Sequence, residues 1–422
     1  MLSPYQFKIY TSLFAVGAFF GCLTYNCLFK QIQNTESCAV SSSIVLACGW
    51  GLHAFSLFIG EERVNLVAII LMFARFLLGI GCGISVGVVP IYVTNSVSRI
   101  SRHIIGIFPP IFLNFGSLIA FIFGWILMKS DISLSNVTTA SPHYILTKNN
   151  SLSYTPLTGM ALCILSLCCS IFLPGSFYSG HNLLTNMIEY PYDPLIGDRL
   201  SFFDSLRDML QTIKQPHIRK QLILGTGTMF FQSILGFEFI IFNAKSLLEP
   251  YFLDQTIFSS AWHPIESVLA FVYSCSASLT IYFSQHVNRN LVLYIGSICI
   301  FFIHFMLALD RMFAFKTDWI RYLLVLTLIL VHNCSWCPFS WLIISEIWDT
   351  SIRDFGFLLS VSISWFTTII IIFFISPLFC SSMSYISSIL FDFIAILSII
   401  FIYLYIPETK NKSYEEIQET FR

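Results

Sequence analysis

The stretch QSILGFEFIIFN, residues 232–243, places an amide, a hydroxyl and a carboxylate inside an apolar run that extends from residue 221 to 244. Such a run is long enough to cross a bilayer, where each polar group left without a partner costs several kcal/mol, on the order of a full desolvation penalty. Gln232, Ser233 and Glu238 must therefore be bonded either to neighbouring helices or to a polar molecule held between them. Ionisable and polar side chains in a span are candidate functional groups for that reason. Asp392, His304 and His332 also fall within apolar runs and are expected to be interhelical hydrogen-bonding groups. Covalent chemistry has little support. The chain carries no G-x-S-x-G, no H-E-x-x-H and no phosphate loop, and Gly79, Gly81 and Gly83 lie inside an apolar run that has no place for a dinucleotide. Neither enzymatic activity, nor a cofactor, nor a metal is expected.

The elements that must position these groups follow from composition. Of the 422 residues, 56% are hydrophobic and 11% charged, against about 25% charged in an ordinary soluble domain. A span takes about 20 largely apolar residues. Eleven such runs occur, near 9–29, 39–60, 65–94, 104–127 and 156–174, then 219–244, 262–286, 291–309, 320–347, 355–379 and 383–406. The uncharged run from residue 355 to 391 is too long for one helix, and Pro377 followed by SSMS divides it. The expectation is an all-α membrane protein of about eleven transmembrane helices in two bundles, five plus six. Residues 1–175 form the first bundle, 176–218 a polar linker with short amphipathic helices, 219–406 the second bundle and 407–422 a tail.

The net charge is −1, so there is no basic field for nucleic acid and no polybasic patch for a lipid surface. Thirteen cysteines are scattered through the runs without metal-ligand spacing, and they are taken as small packing residues. The first run lacks a basic leader and is itself long enough to span, so no cleavable signal is expected. With the tail in the cytosol, thirteen of the 22 Lys and Arg residues fall on the inner side and eight on the outer, with Arg75 inside a span. That asymmetry favours a cytosolic C-terminus. It also places outside the loop that carries two glycosylation sequons, at Asn136 and Asn149, while a third at Asn411 falls inside.

Five motifs in order carry a resemblance. The chain leaves its last run with IPETKNKSYEEIQETFR, which resembles the P-E-T-K-G-x-[ST]-[FY]-x-E-I exit sequence of the sugar porter family, the facilitative glucose transporters of the major facilitator superfamily. RFLLGIGCGISVGVVPIY, beginning at Arg75, is similar to the family's R-x-x-x-G-x-x-x-G-x-x-x-G-x-x-P-x-Y helix. Gly79, Gly83 and Gly87 form one small-residue face open to close helix approach. QSILGFEFIIFN resembles Q-Q-x-x-G-x-N-x-x-x-Y-Y, WCPFSWLIISEIWDTSIRDFG resembles G-P-G-P-I-P-W followed by the spaced Glu and Arg, and VNRNLVLYIG is a weak version of the G-R-R turn.

The resemblance implies a hexose bound between two bundles near the membrane midplane and released by alternating access. A sugar needs neutral donors and acceptors for its hydroxyls and aromatic faces for its C–H surface. On this pattern Gln232 keeps the first Gln of the pair and Ser233 replaces the second. Glu238 stands at an Asn position and Asn333 at a Glu position eight residues before Trp341. Trp341 and Trp365 keep the two tryptophans, and Ser364 and Thr368 replace amides, as Tyr273 does if no gap is allowed. Each also has a plainer role open to it. Gln232 and Ser233 would bond neighbouring helices, Glu238 would be a satisfied core carboxyl, and the tryptophans would be packing residues.

The resemblance also implies a cytosolic gate of ion pairs, for which Arg102, Arg289, Glu346 and Arg353 remain. Much of the first bundle's share is altered. Lys30 replaces an acid, Asn95 replaces a Glu, PGSFY at Pro174 replaces P-E-S-P-R, and Pro110 replaces a sugar-contacting Gln. SLFAVGAFFG, residues 12–21, resembles the family's second helix, so the first is expected to be absent, with the N-terminus outside. The implied function is facilitated transport of a hexose such as glucose, across the plasma membrane. The alternative is a non-transporting relative of the same fold, a sensor, a subunit or an inactive form. The expected partners are the sugar and the lipid bilayer, and oligomeric state is not fixed by the sequence.

Overall fold

The computed structural model describes residues 4–32, 35–59, 63–96, 108–132, 154–172, 211–236, 238, 271–272, 275–276, 279–313, 318–349, 352–376 and 385–422. The first bundle is built from α1 (Pro4–Ile32), α2 (Thr35–Ser56), α3 (Val64–Ser96), α4 (Phe108–Ile132) and α5 (Tyr154–Ile171). These match the first five apolar runs. Small residues determine how they pack. A Cβ at Gly79 would overlap the Phe14 carbonyl oxygen of α1, one at Gly83 would overlap that of Ala18, and in return Gly17 and Gly21 abut the carbonyls of Phe76 and Ile80. The small-residue face of α3 is therefore met by a second small-residue face on α1, which brings the two backbones into contact. Serine hydroxyls tie the remaining helices across the apolar interior, Ser85 donating to Ser42 at 3.0 Å and Ser43 lying 3.1 Å from Ser166.

The second bundle comprises α6 (Pro216–Ile234), α7 (Arg289–Phe313), α8 (Asp318–Cys334), α9 (Trp336–Glu346), α10 (Arg353–Ile370) and α11 (Tyr385–Tyr405), followed by the short tail helix α12 (Tyr414–Glu419). Pro216 opens α6 because its missing N–H falls where a helix has none to use. The apolar run 320–347 forms one stretch of span length, Ile320–Glu346, interrupted at Ser335 between α8 and α9. Pro338 cannot donate to the Cys334 carbonyl, and the chain breaks at Ser335. α10 continues as a π-turn over Ile371–Ile375. Among the described residues, six helices are long and apolar enough to span a membrane, and Ile9–Thr24, Ile111–Ala120 and Thr155–Ile171 are shorter apolar helices. Residues 262–270, 273–274 and 277–278 of the run 262–286, most of the linker 176–218, the break at Pro377, the sequons at Asn136 and Asn149, and Arg102 and Tyr273 lie outside the described residues.

Trp336 and Trp348, both essentially inaccessible, centre the second core. The Trp336 indole donates to Ser297 at 3.0 Å, which also accepts from Ser398, joining α9, α7 and α11. Gly225 of α6 and Gly356 of α10 lie flat against the Trp348 ring. A buried ion pair between Arg321 and Asp310, with Nε to Oδ2 at 2.6 Å, ties the start of α8 to the end of α7. The bundles meet where α1 lies against α10: Phe14 stands edge-on to Trp365 at 5.9 Å and Phe19 lies 5.8 Å from Phe366. Phe302, Phe374, Phe393 and Tyr403 are exposed at the periphery, as lipid-facing side chains are.

Candidate functional site

The site begins where α6 stops. The helix ends at Ile234, the Leu235 amide closes on the Phe231 carbonyl at 3.2 Å, and Gly236 turns the chain with φ +95°. That left-handed conformation suits glycine alone among ordinary residues. A helix end leaves carbonyls unbonded by the helix itself and opens room for polar side chains, an arrangement that transporters use for substrate sites.

Around this break the structure brings five of the eight candidate residues into one chain of contacts. Ser233 Oγ lies 2.6 Å from Ser364 Oγ and 3.3 Å from the Gln232 Oε1 that accepts from it. One turn further along α10, the Thr368 hydroxyl donates to Glu238 and lies 3.1 Å from the Ser364 carbonyl. Gln232, Ser233, Ser364, Thr368 and Glu238 thus run along the seam between α6 and α10. The spacing of four residues between Ser364 and Thr368 puts both on one helical face. Gln232 is 8% exposed and Ser233 fully enclosed, whereas Ser364 and Glu238 are only half-buried and are the members that retain access.

The other three candidates stand apart from this chain. Asn333, on α8, bonds back through Nδ2 to the Ile329 carbonyl at 2.9 Å, and its Oδ1 is buried without a partner. Its own carbonyl accepts from Thr280 at 3.0 Å. Trp341 is half-buried with its ring 6.0 Å from Phe357, and Trp365, also half-buried, meets Phe14 of the other bundle. Both tryptophans pack against aromatic rings.

At the bundle end that carries the tail, Arg289 makes a two-pronged contact with Glu346, one branch of it 3.0 Å between Nη2 and Oε1. The family pattern joins Arg353 to this cluster. The structure instead sets the Arg353 guanidinium 5.8 Å over the Tyr414 ring of the tail helix, because α12 places an aromatic face there. The sequence reading also missed what holds Arg289. Thr409 accepts from its Nη1, and the Glu408 carboxylate receives the amides of Arg289 (3.3 Å) and Asn290 (3.1 Å). The Pro-Glu-Thr of the exit sequence therefore supplies the anion that caps the N-terminus of α7. The charge of Glu408 and its place in the motif were the signal.

In its two helical bundles the chain has the fold of the major facilitator superfamily. The fold is that of the proton:xylose symporter XylE bound to 6-bromo-6-deoxy-D-glucose (TM-score 0.75, 15% identity, 100% of this chain and 91% of that one). The Escherichia coli fucose:proton symporter FucP is also similar (TM-score 0.60, 16% identity, 94% and 91%). The chain belongs to the sugar (and other) transporter family, which it matches over residues 3–179 and 198–421. Among its relatives are a facilitated trehalose transporter of Bombyx mori, 24% identical over 90% of this chain and 72% of that one. Hexose transporter 1 of Plasmodium falciparum is 22% identical over 92% and 82%.

Proposed function

We propose that this chain carries out facilitated transport of a hexose, probing as its first candidate glucose, by alternating access between its two bundles. The observation that carries the proposal is the hydrogen-bonded seam from Gln232 to Glu238 at the break in α6. Hydroxyls and an amide at a helix break match the alternating donors and acceptors of a sugar ring. The Asn333 Oδ1 offers a further acceptor on α8, and Trp341 and Trp365 supply aromatic faces. The relatives named for trehalose and for hexoses support a neutral saccharide as the substrate class. Transport needs no covalent step, so the chain acts without enzymatic chemistry.

On this proposal residues 1–175 and 219–406 are the two moving bundles, 176–218 the cytosolic linker and 407–422 a cytosolic tail. The Arg289–Glu346 pair, with Arg102, belongs to the cytosolic gate, and Arg353 joins that gate through the tail helix, over the Tyr414 ring. The protein resides in the plasma membrane with Asn136 and Asn149 glycosylated outside. A non-transporting relative is the second reading, favoured by Pro110 where the family pattern has a sugar-contacting Gln.

Uptake of labelled glucose and of labelled trehalose into proteoliposomes tests the proposal, beside the double variant Gln232→Ala, Trp341→Ala. Saturable uptake that the variant loses is expected. No uptake above empty liposomes from folded protein, with sugar still raising its melting temperature, would establish the second reading instead.

A further inference from the structure

We infer that His332 and His304 are positioning residues that clamp the break in α6 and thereby set the geometry of Gln232, Ser233 and Glu238. The last carbonyls of a helix have no intrahelical partner, and in a membrane interior water does not replace one. His332, fully buried on α8, places Nε2 2.8 Å from the Gln232 carbonyl. His304, 2% exposed on α7, places Nε2 3.3 Å from the Leu235 carbonyl. The two bonded carbonyls flank Ser233 and lie on either side of the helix end at Ile234. They are held from two different helices.

A carbonyl only accepts, so each imidazole carries its proton on Nε2. The His304 ring is itself fixed, stacked on Phe391 of α11 at 4.9 Å. Gly236 completes the fit. A Cβ there would overlap the His304 ring, so its lack of a side chain serves the clamp as well as the positive φ. Both histidines bond the backbone of the α6 end, whereas the α10 groups meet the side chains there. The histidines act on the site through the backbone that carries it.

This inference rests on the assignment of Gln232, Ser233 and Glu238 to a sugar site, and the experiment separates the two. His332→Leu removes the donor, and His332→Gln retains an N–H near the Nε2 position. The purified full chain is compared by amide hydrogen exchange over residues 228–238, without sugar, and by the KM and maximal rate of glucose uptake. His332→Leu is expected to exchange roughly tenfold faster in that segment and to raise KM by about tenfold at a nearly unchanged maximal rate, the size of effect one lost buried hydrogen bond gives. His332→Gln should restore both to within about threefold. His304→Phe, which keeps the stack on Phe391 without the donor, should repeat the Leu pattern and serves if His332→Leu does not fold. Unchanged exchange, faster exchange with an unchanged KM, or failure of His332→Gln to restore either would overturn the clamp. Absence of uptake by the unaltered protein, with the exchange contrast intact, would sink the sugar-site assignment and leave the clamp standing.

Discussion

A hydroxyl has one hydrogen to give, and Thr368 directs its own at Glu238. Thr368→Val keeps the shape and removes that donor, leaving a buried carboxyl oxygen short of a partner at a cost of about 1–3 kcal/mol. We expect KM for the transported sugar to rise on the order of tenfold in Thr368→Val and to stay near the original value in Thr368→Ser, measured as initial uptake rates against sugar concentration. Glu238 itself distinguishes two modes of transport. Facilitated transport requires that Glu238→Gln retain uptake to within a few-fold and that an imposed proton gradient leave the final internal sugar level unchanged. Accumulation above the external concentration, lost in Glu238→Gln, would make Glu238 a coupling carboxyl instead.

At the scale of elements, α7 is anchored at its N-terminus by polar and charged groups from two other segments. Glu346 of α9 pairs with Arg289, and Thr409 and Glu408 of the exit sequence bond the same residue. Arg289 is 4% exposed and Glu346 14%, so removing one partner strands a nearly enclosed charge. Arg289→Met should destabilise by on the order of 3 kcal/mol. Replacing both, as Arg289→Met with Glu346→Leu, should cost clearly less than the sum of the two single changes. Thermal unfolding of the four proteins in one detergent provides the comparison. Helix contact in the first bundle makes a different demand. Gly83→Leu would drive a side chain into the Ala18 backbone, and it should prevent α1 and α3 from docking, read as loss of a monodisperse peak on size-exclusion chromatography.

At the scale of the whole molecule, the tail binds together helices that are distant in sequence. α12 starts in a reciprocal capping box between Ser413 and Glu416. From it Gln418 donates to the Ile347 carbonyl at 3.0 Å and accepts from Gln221 at 2.7 Å, while Gln221 accepts the Asp349 amide at 2.9 Å. Lys220 reaches the Phe421 carbonyl, and Ile417 and Phe421 are buried beneath. Deleting residues 413–422 would therefore unbond the start of α6 and the end of α9 together. A melting temperature lower by several degrees is expected, and Gln418→Leu should reproduce part of the loss. An unchanged melting temperature in the deletion would show that the tail adds nothing to the bundle's stability.

The helices and their order were legible in the sequence because hydrophobic runs of span length have few other uses, and the bundle assignment rested on motifs such as the Arg75 helix and the exit sequence. The polar groups of α6 were legible for the same reason, since Gln232 and Glu238 are conspicuous against an apolar background. What those groups touch was decided only by the tertiary structure. Ser364 and Thr368 meet them because α10 lies along α6, and no local pattern fixes which helix is the neighbour. Arg353 left the expected charge cluster for Tyr414 because the docked tail offers a ring. His304 and His332 are legible as polar residues in spans, but their partners are backbone carbonyls freed at a helix break. Hydropathy records how much of a chain avoids water, and carries no record of which buried groups find one another across the core.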